Sequence, residues 1–151
     1  MASLAMQSSG LTWDDFGHMS TVFTRIINRE IPAQFVYEDD ICVVLMDKFP
    51  SVAGQTLVIS RREVDYLFDL TENEYHHLCA VARKVALASD KAFAAVRSCL
   101  VVEGFEVPHV HIKIYPMTET SKSLGQVITE TSEMPDAELE AQAEKIKSAL
   151  H

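Results

Sequence analysis

Positive charge is scarce in this chain. Its 151 residues carry 13 Lys and Arg against 22 Asp and Glu, a formal net charge of −9 with histidine neutral. A nonspecific nucleic-acid binder needs a basic footprint that displaces counterions, so the balance argues against that class. A small phosphorylated ligand sees only the local field and is not excluded. Cysteine is scarce as well. Cys42, Cys79 and Cys99 are odd in number, scattered, and never in a C-x-x-C arrangement. That pattern offers neither a disulfide framework nor a cysteine zinc motif, and it fits the reduced thiols of a cytoplasmic protein. Long apolar runs are missing: none reaches the ~20 residues of a membrane span. The first eighteen residues contain no Lys or Arg and no long apolar core, so they make a poor secretory signal. Residues 1–18 are expected to be a flexible leader, natural or added, with the regular pattern restarting at Met19.

What is present is an ordinary globular composition, 48% hydrophobic, in a chain long enough for one domain with a real core. Val22, Phe23, Ile26 and Ile27 recur at helical spacing, and Pro32 is expected to stop that short helix. Phe35–Glu38, Ile41–Asp47 and Gln55–Ser60 read as strands, separated by an acidic turn and a Pro/Gly loop. Thr71-Glu72-Asn73-Glu74 is a capping box, so a long helix starts there and runs towards residue 95. Tyr75, Leu78, Val81, Ala82 and Val85 make its apolar stripe. His76 and His77 fall on this helix and are expected to face solvent. Cys99–Val102 and Val107–Tyr115 are the fourth and fifth strands. Segment 117–135 has no clear period and reads as loop. After Pro135 comes an amphipathic helix with Leu139, Ala143, Ile146 and Leu150 on one face. The expected class is α+β, a five-stranded antiparallel sheet with one long helix and short flanking ones. Residues 19–117 form the body, and 118–151 a C-terminal loop and helix of the same domain.

The densest signal is V-P-H-V-H-I-K-I-Y-P, Val107 to Pro116. Strict alternation puts His109, His111 and Lys113 on one face and Val110, Ile112 and Ile114 on the other. Two imidazoles and an ammonium on one face suit a nucleophile and an anion. They also suit a metal pair, or a plain solvated face, and spacing alone does not choose.

The wider context carries a resemblance. F-x-x-I-I-N-R-E-I-P-A at Phe23–Ala33, V-Y-E-D-D at Val36–Asp40, the strand ending at Asp47, A-G-Q-T-L-V-I-S at Ala53–Ser60 and P-H-V-H-I-K-I occur in order at suitable separations. Together they resemble the histidine triad (HIT) family, in the branch that acts on nucleoside phosphoramidates. The resemblance implies a homodimer sharing one continuous sheet, and a ligand that is a purine nucleotide such as AMP or a nucleoside phosphoramidate. It implies His111 as the nucleophile at the α-phosphorus, passing through a nucleotidyl-histidine, with His109 and Lys113 beside it. It implies Asp47 on the ribose hydroxyls and Ile26, Ile27, Leu45 and Met46 as candidates for an apolar base pocket, although neighbours Leu45 and Met46 cannot share a face. The Gly104–Glu106–Val107 turn is expected to aim backbone N–H groups at phosphate oxygens. No cofactor, metal, nucleic acid or membrane partner is implied. The alternative is a nucleotide-binding module with little or no turnover.

Four positions depart from the family pattern. Lys113 stands for the third histidine, Gln55 for a histidine after Gly54, Ser60 for a proline and Glu63 for a histidine. An ammonium, with a reference pKa of about 10.4, handles protons poorly at neutral pH. Gln55 can donate an N–H to phosphate but cannot titrate.

Overall fold

Five short segments, two of them buried throughout, build the sheet, and two capping threonines start helices that flank it. The computed structural model describes residues 12–13 and 19–150; the rest of the expected leader, with His18 and His151, lies outside the described residues. A two-residue ladder pairs β1 (Thr12–Trp13) with β2 (Met19–Ser20). Helix α1 (Val22–Ile27) follows, capped by Thr21, whose Oγ1 accepts the Thr24 N–H at 3.2 Å. Arg29 turns the chain at φ 62°, so the helix stops before Pro32 is reached.

Strands β3 (Phe35–Glu38), β4 (Cys42–Met46), β5 (Thr56–Ser60), β6 (Arg97–Val101) and β7 (His111–Met117) form one antiparallel sheet in the order β3-β4-β5-β7-β6. The expected α+β class and five-stranded sheet are therefore present. Helix α2 (Glu72–Phe93) begins at the Thr71–Glu74 capping box. The segment expected to be loop carries the short helix α3 (Leu124–Val127), started by a second capping box at Ser123 and Gln126. The last helix, α4, spans Asp136–Ala149. Most strand boundaries shift by a residue or two, and the starts of two strands differ most from expectation. β6 starts earlier, at Arg97, and β7 starts at His111 rather than Val107. The N–H of Val110 donates to the Val64 carbonyl, and that of His109 to Val107, so the chain here is held from outside the ladder.

The two faces of the sheet bury different cores. Val44, Met46, Val58, Ile112 and Ile114 pack against Leu78, Val81 and Val85 of α2 and Leu139, Ala143 and Ile146 of α4. Val43, Leu45, Leu57 and Ile59 point the other way, onto Phe23 of α1. Gly54 lets the loop before β5 close on α2: it sits at φ 77°, and a Cβ there would fall 2.6 Å from the Phe93 ring. Its N–H donates to Oε1 of buried Gln142 on α4, and Lys48 reaches Asp136 at 2.6 Å. These contacts seat the C-terminal helix on the sheet beside the 47–55 loop.

Candidate active site

The face opposite α2 gathers the candidate site residues. His109 is fully buried. Its Nε2 lies 2.6 Å from the Ser60 carbonyl, which can only accept, so that nitrogen holds the proton. Nδ1 then accepts from the Thr21 hydroxyl at 2.6 Å. Behind Thr21 stands Glu63, accepting the Thr21 N–H and the Thr24 hydroxyl at 3.0 Å each. A carboxylate, two threonines and a carbonyl thus hold one imidazole in a single neutral tautomer.

His109 passes that order on through its backbone. Its carbonyl lies 2.7 Å from Nδ1 of His111 and must accept the proton there. Nε2 of His111 is left with a free lone pair. Phe23 meets both rings edge-on, with centroids 5.7 Å and 4.9 Å away. Burial pushes both imidazoles below their ordinary value. For His111 the Lys113 ammonium adds to this, while the bond to His109 and the charges of Asp47 and Glu103 oppose it. For His109 the Ser60 bond and the Glu63 charge oppose it. The net result is two neutral rings at pH 7.

Lys113, one pleat further along β7, has Nζ 3.5 Å from Glu103. Glu103 and Gly104, with Tyr66 and Phe68, line a cleft of about 140 Å³ that reaches His111. Gly104 turns at φ 79°. Among the described residues, the backbone N–H groups of 104–107 find no acceptor within the chain. Glu106 is exposed, and Val107 packs against the Phe23 core. A larger groove of about 950 Å³ lies between Pro50–Val52 and segment 117–132, away from His111.

Asp47 directly follows β4, on the same side of the sheet as His111. Its Oδ1 accepts the Phe49 N–H at 2.9 Å and its Oδ2 accepts from Nε2 of Gln55 at 2.7 Å. Gln55 is buried, and its Oε1 accepts the Ser51 N–H. Gln55 thus has a structural task beside the expected one: one N–H of its amide is committed to positioning Asp47. Met46 is corrected, because period two sends it into the α2-side core, away from Ile26, Ile27 and Leu45. His77 does not face solvent freely, since its Nε2 lies 2.6 Å from Asp39; His76 is exposed beside Glu72.

Sequence reading missed Thr21, Thr24, Tyr66, Phe68 and Glu103. Thr21 carried one usable signal, a threonine directly before an apolar helical repeat. The others are brought in by long-range packing.

The HIT domain family model matches residues 28–120. An uncharacterised HIT-like protein of Methanocaldococcus jannaschii is 29% identical over 130 residues, 83% of this chain and 98% of that one. The crystal structure of a Hit-like protein involved in cell-cycle regulation from Bartonella henselae is 31% identical, with a TM-score of 0.73 over 85% of this chain and 95% of that one. That of a hypothetical histidine triad nucleotide-binding protein from Sulfolobus tokodaii is 28% identical, with a TM-score of 0.75 over 85% and 90%.

Proposed function

This chain belongs to the HIT domain family, and from that premise we propose that it is a nucleotide hydrolase or transferase acting at the α-phosphorus of nucleoside phosphoramidates or related nucleotides. One observation carries the reading. Nε2 of His111 has a free lone pair beside a cleft, because Nδ1 is committed to the His109 carbonyl. In the proposed reaction that lone pair attacks phosphorus and the P–N bond to the leaving amine breaks. The His111–phosphorus bond makes the ring cationic, and the Nδ1–H···O=C bond strengthens as it does. The amine leaves with a proton taken up from its surroundings. Water then attacks phosphorus, the P–N bond to His111 breaks, and nucleoside monophosphate is released.

The other roles follow the same face. The Lys113 ammonium meets a non-bridging phosphate oxygen by exchanging its Glu103 contact. The free amides of 104–107 supply further donors. Asp47, aimed by Gln55, accepts from the ribose hydroxyls, and Ile26, Ile27 and Leu45 border the base.

A second reading, a binding module without turnover, is favoured by one feature: the third polar position of the motif is a lysine already facing a carboxylate. One experiment separates the two. Incubation with an adenosine phosphoramidate should release AMP, and His111→Ala should stop release while still binding AMP. Binding without release by the wild-type protein would select the second reading.

We also propose a homodimer built on the β6 edge. Leu100 and Val102 at that edge, with Val96 before it and Leu87 on α2, are exposed apolar side chains, and an unpaired edge needs cover. No helix among the described residues is long and apolar enough to cross a membrane.

A further inference from the structure

On the other side of the sheet from His111, three metal-ligating side chains meet. Asp39 closes the turn between β3 and β4. Its Oδ1 accepts the Ile41 and Cys42 N–H groups at 2.8 Å and 2.9 Å. Its Oδ2 accepts the Tyr37 hydroxyl at 2.8 Å and lies 2.6 Å from Nε2 of His77 on α2. Cys42, the first residue of β4, is fully buried in the α2-side core. One ligand atom from each of Asp39, Cys42 and His77 lies within 4.8 Å of the other two. Among the described residues no other three His, Cys, Asp or Glu side chains gather in this way. Neither the hydrolase chemistry nor the nucleotide face uses any of them.

We propose that Asp39, Cys42 and His77 are a binding site for a zinc-class divalent cation, with one coordination position left to water. The donor set is the argument. Thiolate sulfur, imidazole nitrogen and carboxylate oxygen together suit a borderline-soft ion rather than calcium or magnesium. Metal–ligand bonds of about 2.0–2.3 Å place tetrahedral ligands roughly 3.4–3.7 Å apart. The present spacing needs only a small closure, plus a step back of His77 from Asp39 as the ion replaces the proton between them. The carboxylate is already oriented. Hydrogen bonds from Tyr37, Ile41, Cys42 and His77 hold it in place. Such outer contacts fix a ligand before the metal arrives. On binding, the Cys42 S–H bond breaks and its proton goes to solvent. Nε2 of His77 gives up its contact with Asp39 and ligates, and the ring proton that remains sits on Nδ1. The ion would tie the β3–β4 turn to α2.

Cobalt(II) is the probe, added to the full chain carrying Cys79→Ser and Cys99→Ser, which leaves Cys42 as the thiol. One equivalent should raise a near-ultraviolet thiolate-to-cobalt charge-transfer band, and equimolar zinc should bleach it. Cys42→Ser should abolish the band. That variant alters the core, so His77→Ala, a half-exposed position with its fold checked by circular dichroism, carries the decision. It too should lose most of the band. Zinc should also raise the melting temperature of the wild-type chain but not of His77→Ala. No band at one equivalent, or a band unchanged by His77→Ala, would overturn the site and leave a hydrogen-bonded tie alone.

Discussion

A single carbonyl oxygen, that of His109, decides what His111 can do. It consumes the Nδ1 proton and leaves Nε2 free. His111→Ala should therefore abolish AMP release while AMP still binds by calorimetry. Asp47→Ala removes a charged hydrogen-bond partner, a contact worth about 1.5–3 kcal/mol, so AMP affinity should fall at least about tenfold. Gln55→Ala should act in the same direction but more weakly, because it unlocks Asp47 without removing it. An unchanged dissociation constant in both variants would make this pair a loop device only. Lys113→His restores a group that titrates near neutral pH. With a leaving group that must be protonated, turnover should rise by about tenfold, the low side of general acid catalysis. With a leaving group already good, the gain should nearly vanish, and equal gains on both substrates would count against proton transfer.

At the scale of the element, α1 is more than a cap over a hydrophobic face. Its N-cap residue Thr21 serves the helix, Glu63 and His109 at once. Thr21→Ala should cost at least about 2 kcal/mol, from a lost cap and a buried imidazole nitrogen left unpaired. Denaturant unfolding measures this, and Thr21→Ser should recover most of it. The two histidines between α1 and β7 also set a pH dependence. Both are depressed by burial below the ordinary value of 6.5. Between that value and their folded ones, the unfolded chain binds more protons than the folded chain. Stability should therefore rise with pH through this window and fall on acidification below about 6.5, where the unfolded imidazole begins to charge. Replacing His109 by Gln should flatten that part of the curve; an identical slope would assign it to other groups.

Across the whole molecule, the open question is the β6 edge. Light scattering at micromolar concentration should give twice the chain mass. Leu100→Lys, placing a charge on the exposed edge, should shift the protein to half that mass with its fold retained. A wild-type monomer at that concentration would remove the proposal. The acidic balance belongs to this scale as well: net charge governs association and solubility, while the proposed nucleotide face would draw on a local Lys113 and a row of amides.

Local sequence patterns placed most of this protein. Apolar runs between turn residues located β4 and β5 to within a residue, and period two located β7 to within a few and separated the histidine face from the Ile112 and Ile114 face. Period 3.6 and a capping box located α2. These are local signals, written by the pleat and the helical turn. The same alternation implied that Leu45 and Met46 point apart, but only packing showed that Leu45 joins the Phe23 core and Met46 the α2 core. The sequence did not reveal that β7 starts at His111, because the Val110–Val64 bond that holds the preceding turn spans distant segments. Nor did it reveal α3, four residues in a polar stretch with no apolar face to announce them. Tertiary structure alone decided the roles of single polar side chains. Gln55 became a holder of Asp47, Glu63 the anchor behind His109, and His77 met Asp39 across 38 residues. A hydrogen bond depends on where two segments meet in space, and that meeting has no period along the chain.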